Sequence, residues 1–182
     1  MGVVGGQGYV VRAVRAEEWA DVKRLRLDAL RDPVAHLAFL ETYETAAARP
    51  DSFWQERAAQ GGGVRQFIAE APDGEWAGSV TVLLEEAGSE DWAGYAVERR
   101  QGHVVGVFVR PAHRGNGLIQ QLLDAGVAWA WEQDAERARL FVHADNPRAQ
   151  GAYLRAGFKP TGLVVSFSKN EEERELEFAL DR

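Results

Sequence analysis

Two stretches carry residue types and spacings that can do chemistry. In "VRPAHRGNGLIQQLL" (Val109 to Leu123), two glycines flank an asparagine and lead directly into an apolar, periodic run. A helix start offers unpaired N–H groups and the positive end of the helix dipole, and a glycine-lined approach admits an anionic group to those amides. That chemistry is a phosphate seat. In "FVHADNPRAQGAYLRAGF" (Phe141 to Phe158), Asn146 before Pro147 reads as a helix cap and Tyr153 lies about two turns on. The glycine turn lacks the Gly-Lys-Ser/Thr end of a P-loop, and no GxGxxG with a downstream acidic residue marks a dinucleotide site. No cysteine is present. Disulfides, thiolate metal ligands and a cysteine nucleophile are therefore excluded. The four histidines have no tight ligand spacing, so no metal is expected.

The elements that must position these residues follow from periodicity. "YVVRAV" (Tyr9 to Val14) reads as a strand, Glu17 to Leu30 as a helix stopped by Asp32-Pro33, and Ala35 to Arg49 as a loop with a helical turn. A short helix capped by Asp51-Ser52 runs to Gln60. Strands over Gln66–Ala71 and Trp76–Leu84 form a hairpin around Pro-Asp-Gly, and Glu85 to Trp92 is a polar loop. Another strand ends at Val109 before Pro111. From Ile119, the residues Leu122, Leu123, Gly126, Val127, Ala130 and Trp131 mark one buried helix face. "RLFVHA" reads as a strand, Gly157 ends the following helix, and strands over Thr161–Phe167 and Arg174–Leu180 close the chain.

With 182 residues, 46% of them hydrophobic, the expectation is a single α/β (α+β) domain over 9–182, behind a flexible N-terminus over 1–8. The net charge of −7 argues against a nucleic-acid partner and favours a cationic small one. No membrane span and no signal peptide is read, so a cytoplasmic, soluble protein is expected.

The combination "VRPAHRGNGL…FVHADNPRAQGAYLRAGF" resembles the GNAT superfamily, the acetyl-CoA-dependent N-acetyltransferases. Its specific motifs cover Val104 to Phe158. The resemblance implies a mixed central sheet of about seven strands with about four helices, and a V-shaped opening between the strand ending at Val109 and the "RLFVHA" strand. It implies acetyl-CoA as cosubstrate, with pantetheine along Val107, Phe108 and Val109, and pyrophosphate on the amides of Gly115, Asn116, Gly117, Leu118, Ile119 and Gln120. The signature Gln/Arg-x-x-Gly-x-Gly/Ala lands on Arg114, Gly117 and Ile119. Ile119 departs from it, and its bulk predicts a side chain turned toward the core.

The resemblance further assigns Asn146 to the pantetheine arm and Tyr153 to protonation of the departing thiolate. The attacking amine must lose a proton, and the resemblance puts His103 where relatives carry a basic glutamate. His143 is the second candidate, since Phe141 stands where other members have a glutamate. Acceptor contacts are expected from His36, Phe39, Glu41, Tyr43, Glu44 and, beyond the third strand, Glu85 and Glu86. An amine-bearing small molecule or peptide fits this composition, and homodimers are common among relatives. The same residues also allow a non-catalytic acyl-CoA-binding regulatory module, or a structural domain whose glycine turn only starts a helix.

Overall fold

The computed structural model describes residues 3–4, 8–166 and 173–182. An eight-stranded sheet runs through them in the order β1-β2-β3-β4-β5-β6-β8-β7. The strands are β1 (Val3–Val4), β2 (Val10–Ala13), β3 (Val64–Glu70), β4 (Trp76–Glu85), β5 (Gln101–Val109), β6 (Arg137–His143), β7 (Lys159–Ser166) and β8 (Arg174–Asp181). Seven of them answer the expected strands; the two-residue β1 pairs with β2 within the segment read as the N-terminus. Phe167, read as the end of β7, lies outside the described residues.

Five helices replace the expected four: α1 (Trp19–Leu30), α2 (Tyr43–Ala47), α3 (Asp51–Ala59), α4 (Leu118–Glu132) and α5 (Pro147–Arg155). The addition is α2, a short helix inside the stretch read as a loop with one helical turn. Its cap is Thr42, whose hydroxyl accepts from the Thr45 amide at 3.2 Å. For α3 the cap position is Pro50, with Asp51 as first helical residue rather than the cap. Asn146 does cap α5, accepting from the Ala149 amide at 3.2 Å. Among the described residues no helix is long and apolar enough to cross a membrane.

The two sheet faces bury separate cores. Leu118, Leu122, Leu123 and Val127 of α4 pack with Val80, Val82, Val104 and Leu140 on one face. Leu118 is fully buried and Trp129 buried, whereas Ile119 and Trp131 are only partly so. On the other face, Val22 and Leu25 of α1 and Trp54 of α3 pack with Ile68 and Phe108.

Strands β5 and β6 control the site. They are parallel, and they pair only through Gln101↔Arg137, Gly102↔Ala138 and His103↔Arg139. Beyond His103 they diverge, although β5 continues to Val109 and β6 to His143. On its other edge β5 stays paired with β4 up to Val109, across a bulge near Gly106. An ionic network holds the paired end. The Arg139 guanidinium, 3% exposed, reaches Glu85 at 2.7 Å, Asp91 at 2.9 Å and Glu177 at 3.0 Å. Gln101 and His103 of β5 also bond Glu85, each at 2.9 Å, while Arg137 and Thr161 bond Glu177. One cluster thus joins β4, β5, β6, β7, β8 and the loop before β5.

Burial alone pushes the Glu85 carboxyl up, but hydrogen bonds from His103, Arg139 and Gln101 outweigh it and hold the pKa down at about 2. Because the folded value lies below the ordinary 4.5, this stabilisation is complete above pH 4.5 and drains away as pH falls toward about 2. Urea unfolding across that range checks it. Glu85→Gln should make the acid loss of stability shallower than in wild type, and parallel pH profiles would contradict the assignment.

Candidate functional site

Past the last paired residues, the gap between β5 and β6 widens into a cleft of about 1230 Å³ that continues across the sheet to the loop after α1. Its volume exceeds the roughly 300–1,000 Å³ of a usual small-molecule site. Val107 and Val109 lie along it and turn their side chains to the α4 core, while Phe108 turns to the α1 core. The Arg110 amide donates to Ala77 of β4 at 2.8 Å. Alternation then directs the Val109 backbone away from β4, and its carbonyl accepts from Arg114 Nε at 2.9 Å.

At the mouth of the gap, Gly115 and Gly117 have φ of +82° and +72°, a left-handed conformation that side-chain-bearing residues rarely adopt. Nothing lies within 4 Å of where either Cβ would stand. The glycines are therefore needed for backbone conformation, and the space in front of the turn is open. Gly117 is also the N-cap residue of α4 and makes no side-chain cap, which leaves the first-turn amides unclaimed by a cap. Leu118, Ile119 and Gln120 line the same end. Ile119 does both things at once, packing against the α4 core and lining the cleft.

Two residues of this segment do structural work. Asn116 does not line the cleft; its side-chain amide donates to the Tyr9 hydroxyl at 3.5 Å and the His113 carbonyl at 3.4 Å. Arg114 lines the cleft but is held by Val109 and by the Asp32 carboxylate, tying the glycine turn to the end of α1. Neither partner was legible from spacing, because Tyr9 and Asp32 lie far off in the chain.

Asn146 and Tyr153 line the other side of the gap. Asn146 Oδ1 is spent on its cap. Tyr153 is 8% exposed and its hydroxyl makes no hydrogen bond among the described residues. Burial, then the nearby Glu175 carboxylate, push the phenol upward, so it stays protonated throughout the neutral range. Glu175 itself is raised to about 7 by burial and by Glu173.

The two buried histidines of the cleft have opposite tautomers. His103 places Nδ1 2.9 Å from Oε1 of Glu85. Since that carboxylate is ionised, the neutral ring carries its proton on Nδ1, which leaves the lone pair on Nε2. No described residue bonds Nε2. In His143, Nδ1 accepts from the Asp145 amide at 3.0 Å, so the neutral ring carries its proton on Nε2. His103 can accept a proton from the cleft and neutral His143 can only donate. The edge of Phe141 packs on His103, with centroids 5.6 Å apart, and Trp92 packs on Phe141 at 5.5 Å.

The expected acceptor residues separate into two groups. His36, Phe39 and Glu41 line the cleft, whereas Tyr43, Glu44, Glu85 and Glu86 do not. Tyr43 stacks beneath Arg31 at 4.5 Å and Glu86 pairs with Arg100 at 3.4 Å. Glu85 reaches the cleft lining only through its contact with His103. Missed entirely were Arg26 and Arg57, which line the acceptor end but sit on helix faces where arginine normally signals solvent.

Residues 18–158 match the acetyltransferase (GNAT) family. The chain is 28% identical over 100 residues, 47% of its length, to a putative ribosomal protein bS18-alanine N-acetyltransferase of Bacillus subtilis. It is 29% identical over 113 residues, 60% of its length, to a mycothiol acetyltransferase of Corynebacterium efficiens. The matches span 66% and 38% of those relatives' own lengths. Among solved structures, Arabidopsis thaliana NAA60 in complex with acetyl-CoA superposes with a TM-score of 0.71 at 17% identity, covering 95% of this chain and 98% of that one. With the family match taking in most of the chain, from the start of α1 to Phe158 just before β7, and the β5–β6 opening formed as that family requires, the chain belongs to the GNAT acetyltransferase family.

Proposed function

We propose that this protein transfers an acetyl group from acetyl-CoA to a primary amine by direct attack, through a tetrahedral intermediate. The observation that carries the reading is the β5–β6 gap itself, which joins an open, glycine-shaped helix start to a proton donor and a proton acceptor in one cleft. Acetyl-CoA in the complex of the structural neighbour supports the choice of cosubstrate. The amide groups of Gly115 to Gln120 bind the pyrophosphate, Asn116 by its backbone alone, and the β5 backbone at Val107 to Val109 binds the pantetheine arm. Asn146 flanks that arm from α5.

In the reaction, His103 Nε2 takes the proton that the acceptor ammonium must lose, and Glu85 stabilises the imidazolium that results. The amine nitrogen then attacks the thioester carbonyl. Backbone N–H groups of β5 support the oxyanion as the C–N bond forms; the C–S bond then breaks as the Tyr153 hydroxyl delivers its proton to sulfur, and the surplus proton on the new amide nitrogen is lost to solvent, from which the phenolate is reprotonated. The half-open pair of aromatic rings, Phe141 and Trp92, borders the path by which the acceptor reaches His103.

Two measurements test the roles. Tyr153→Phe should lower kcat by roughly 10²–10⁴ while acetyl-CoA binding, measured by calorimetry, is retained; full activity in the variant would remove the general acid. His103→Gln should lower kcat/KM by a similar factor, roughly 10²–10⁴, and flatten the ascending limb of its pH profile. An unchanged limb would give the base role to another group.

A further inference from the structure

The charge at the acceptor end is opposite to what the acidic composition suggests. Three guanidiniums, those of Arg26, Arg49 and Arg57, surround a single carboxylate, Glu41. Arg49 takes Glu41 at 2.7 Å and Arg26 takes it at 3.2 Å, with Arg26 also stacked on Phe39 at 4.4 Å. Among the described residues no carboxylate lies within ion-pair distance of Arg57. Asp32, the acid after α1 that also lines the cleft, is already spent on Arg114, and Asp145, Glu173 and Glu175 line the cleft beside the starts of α5 and β8.

Arg26 and Arg57 both line the acceptor end of the cleft, and both also wall a smaller cavity of about 20 Å³ that shares Gly106 and Phe108 with it. That volume holds about one water molecule. Its remaining polar lining is Gln66, Ser79 and Thr81, all buried, and Gln66 Oε1 has no hydrogen-bond partner. Two planar donor forks therefore border a polar recess of about one water's size beside the β5 bulge. A group with acceptor-only oxygens and a negative charge completes them.

Resting on the acetyl-transfer reading, we infer that the acceptor carries a carboxylate in addition to its amine, and that Arg57 with Arg26 binds that carboxylate. A planar carboxylate matches the guanidinium fork two bonds at a time. Burial, followed for Arg57 by the charge of Arg26, lowers the proton affinity of both guanidiniums, the direction expected of cations short of counter-charge. A bound carboxylate supplies that charge. Plain polyamines have nothing to offer this end of the cleft and meet two like charges there.

The test has two independent readouts. In the first, free amino acids and short peptides are compared as acceptors with their C-terminal amides, with acetyl-CoA saturating and products read by mass spectrometry. Wild type should favour the acids in kcat/KM by on the order of tenfold to a hundredfold. Arg57→Gln should erase most of that preference through KM, and Arg57→Lys should keep part of it. Acceptance of the amides as well as the acids, or a preference that survives Arg57→Gln, overturns the inference.

In the second readout, no turnover is needed. Sodium acetate should raise the melting temperature of wild type beyond what sodium chloride does at equal ionic strength, and should do less for Arg57→Gln. Equal effects on both proteins overturn the carboxylate site. A phosphate arm that outperforms acetate, and loses its effect in Arg57→Gln, overturns the choice of carboxylate in favour of a phosphorylated acceptor. An acetate effect confined to wild type, with no acceptor acetylated, supports the site and counts against the transfer reading instead.

Discussion

The structure depends on the clamp around Arg139. Parallel strands held along their whole length would leave no room between β5 and β6, and strands not held at all would leave no defined opening. Three paired residues and one buried guanidinium shared by three carboxylates hold the pair at one end only. Buried ion clusters are weak evidence for net stability, because desolvation offsets most of their attraction, and removing one partner alone costs about 3–5 kcal/mol. Here the cluster acts through geometry. It ties five neighbouring strands together and hands one of its carboxylates, Glu85, to the buried histidine of β5.

That shared carboxylate connects the frame to the chemistry. Glu85 is too well paired with cations to take a proton near neutrality, and its ionisation is what sets the His103 tautomer. Across the gap, Tyr153 is kept protonated by the opposite environment, a buried phenol beside a carboxylate. Ionic pairing on one wall and desolvation on the other thus yield an acceptor and a donor of protons in one cleft. The cleft then separates two anion-facing ends: backbone amides at the glycine turn and guanidiniums beside the β5 bulge.

Much of this was legible in local patterns. The α4 stripe, the Asn146 cap and the hairpin from β3 to β4 follow from periodicity and turn chemistry within a few residues. The glycine turn was recognised, though for space in front of an anion, when its positive φ is the stronger requirement. What could not be read are pairings between residues distant in sequence. Glu85 looked like an acceptor contact because nothing near it in the chain reveals Arg139, and Asn116 and Arg114 looked like ligand contacts because Tyr9 lies 107 positions from the first and Asp32 lies 82 from the second. The acceptor region misled for the same reason. Its carboxylates dominate the local composition, but Arg26 of α1 and Arg49 both bind Glu41, and Arg57 of α3 is left with no carboxylate at ion-pair distance among the described residues.

If the β5–β6 opening seats acetyl-CoA, a crystal structure of the complex will place the pyrophosphate on the amides of Gly115 to Gln120 and the pantetheine arm beside Val107 to Val109, with the thioester between His103 and Tyr153. Cofactor bound elsewhere, or bound in the opening with its thioester remote from both residues, would contradict that placement.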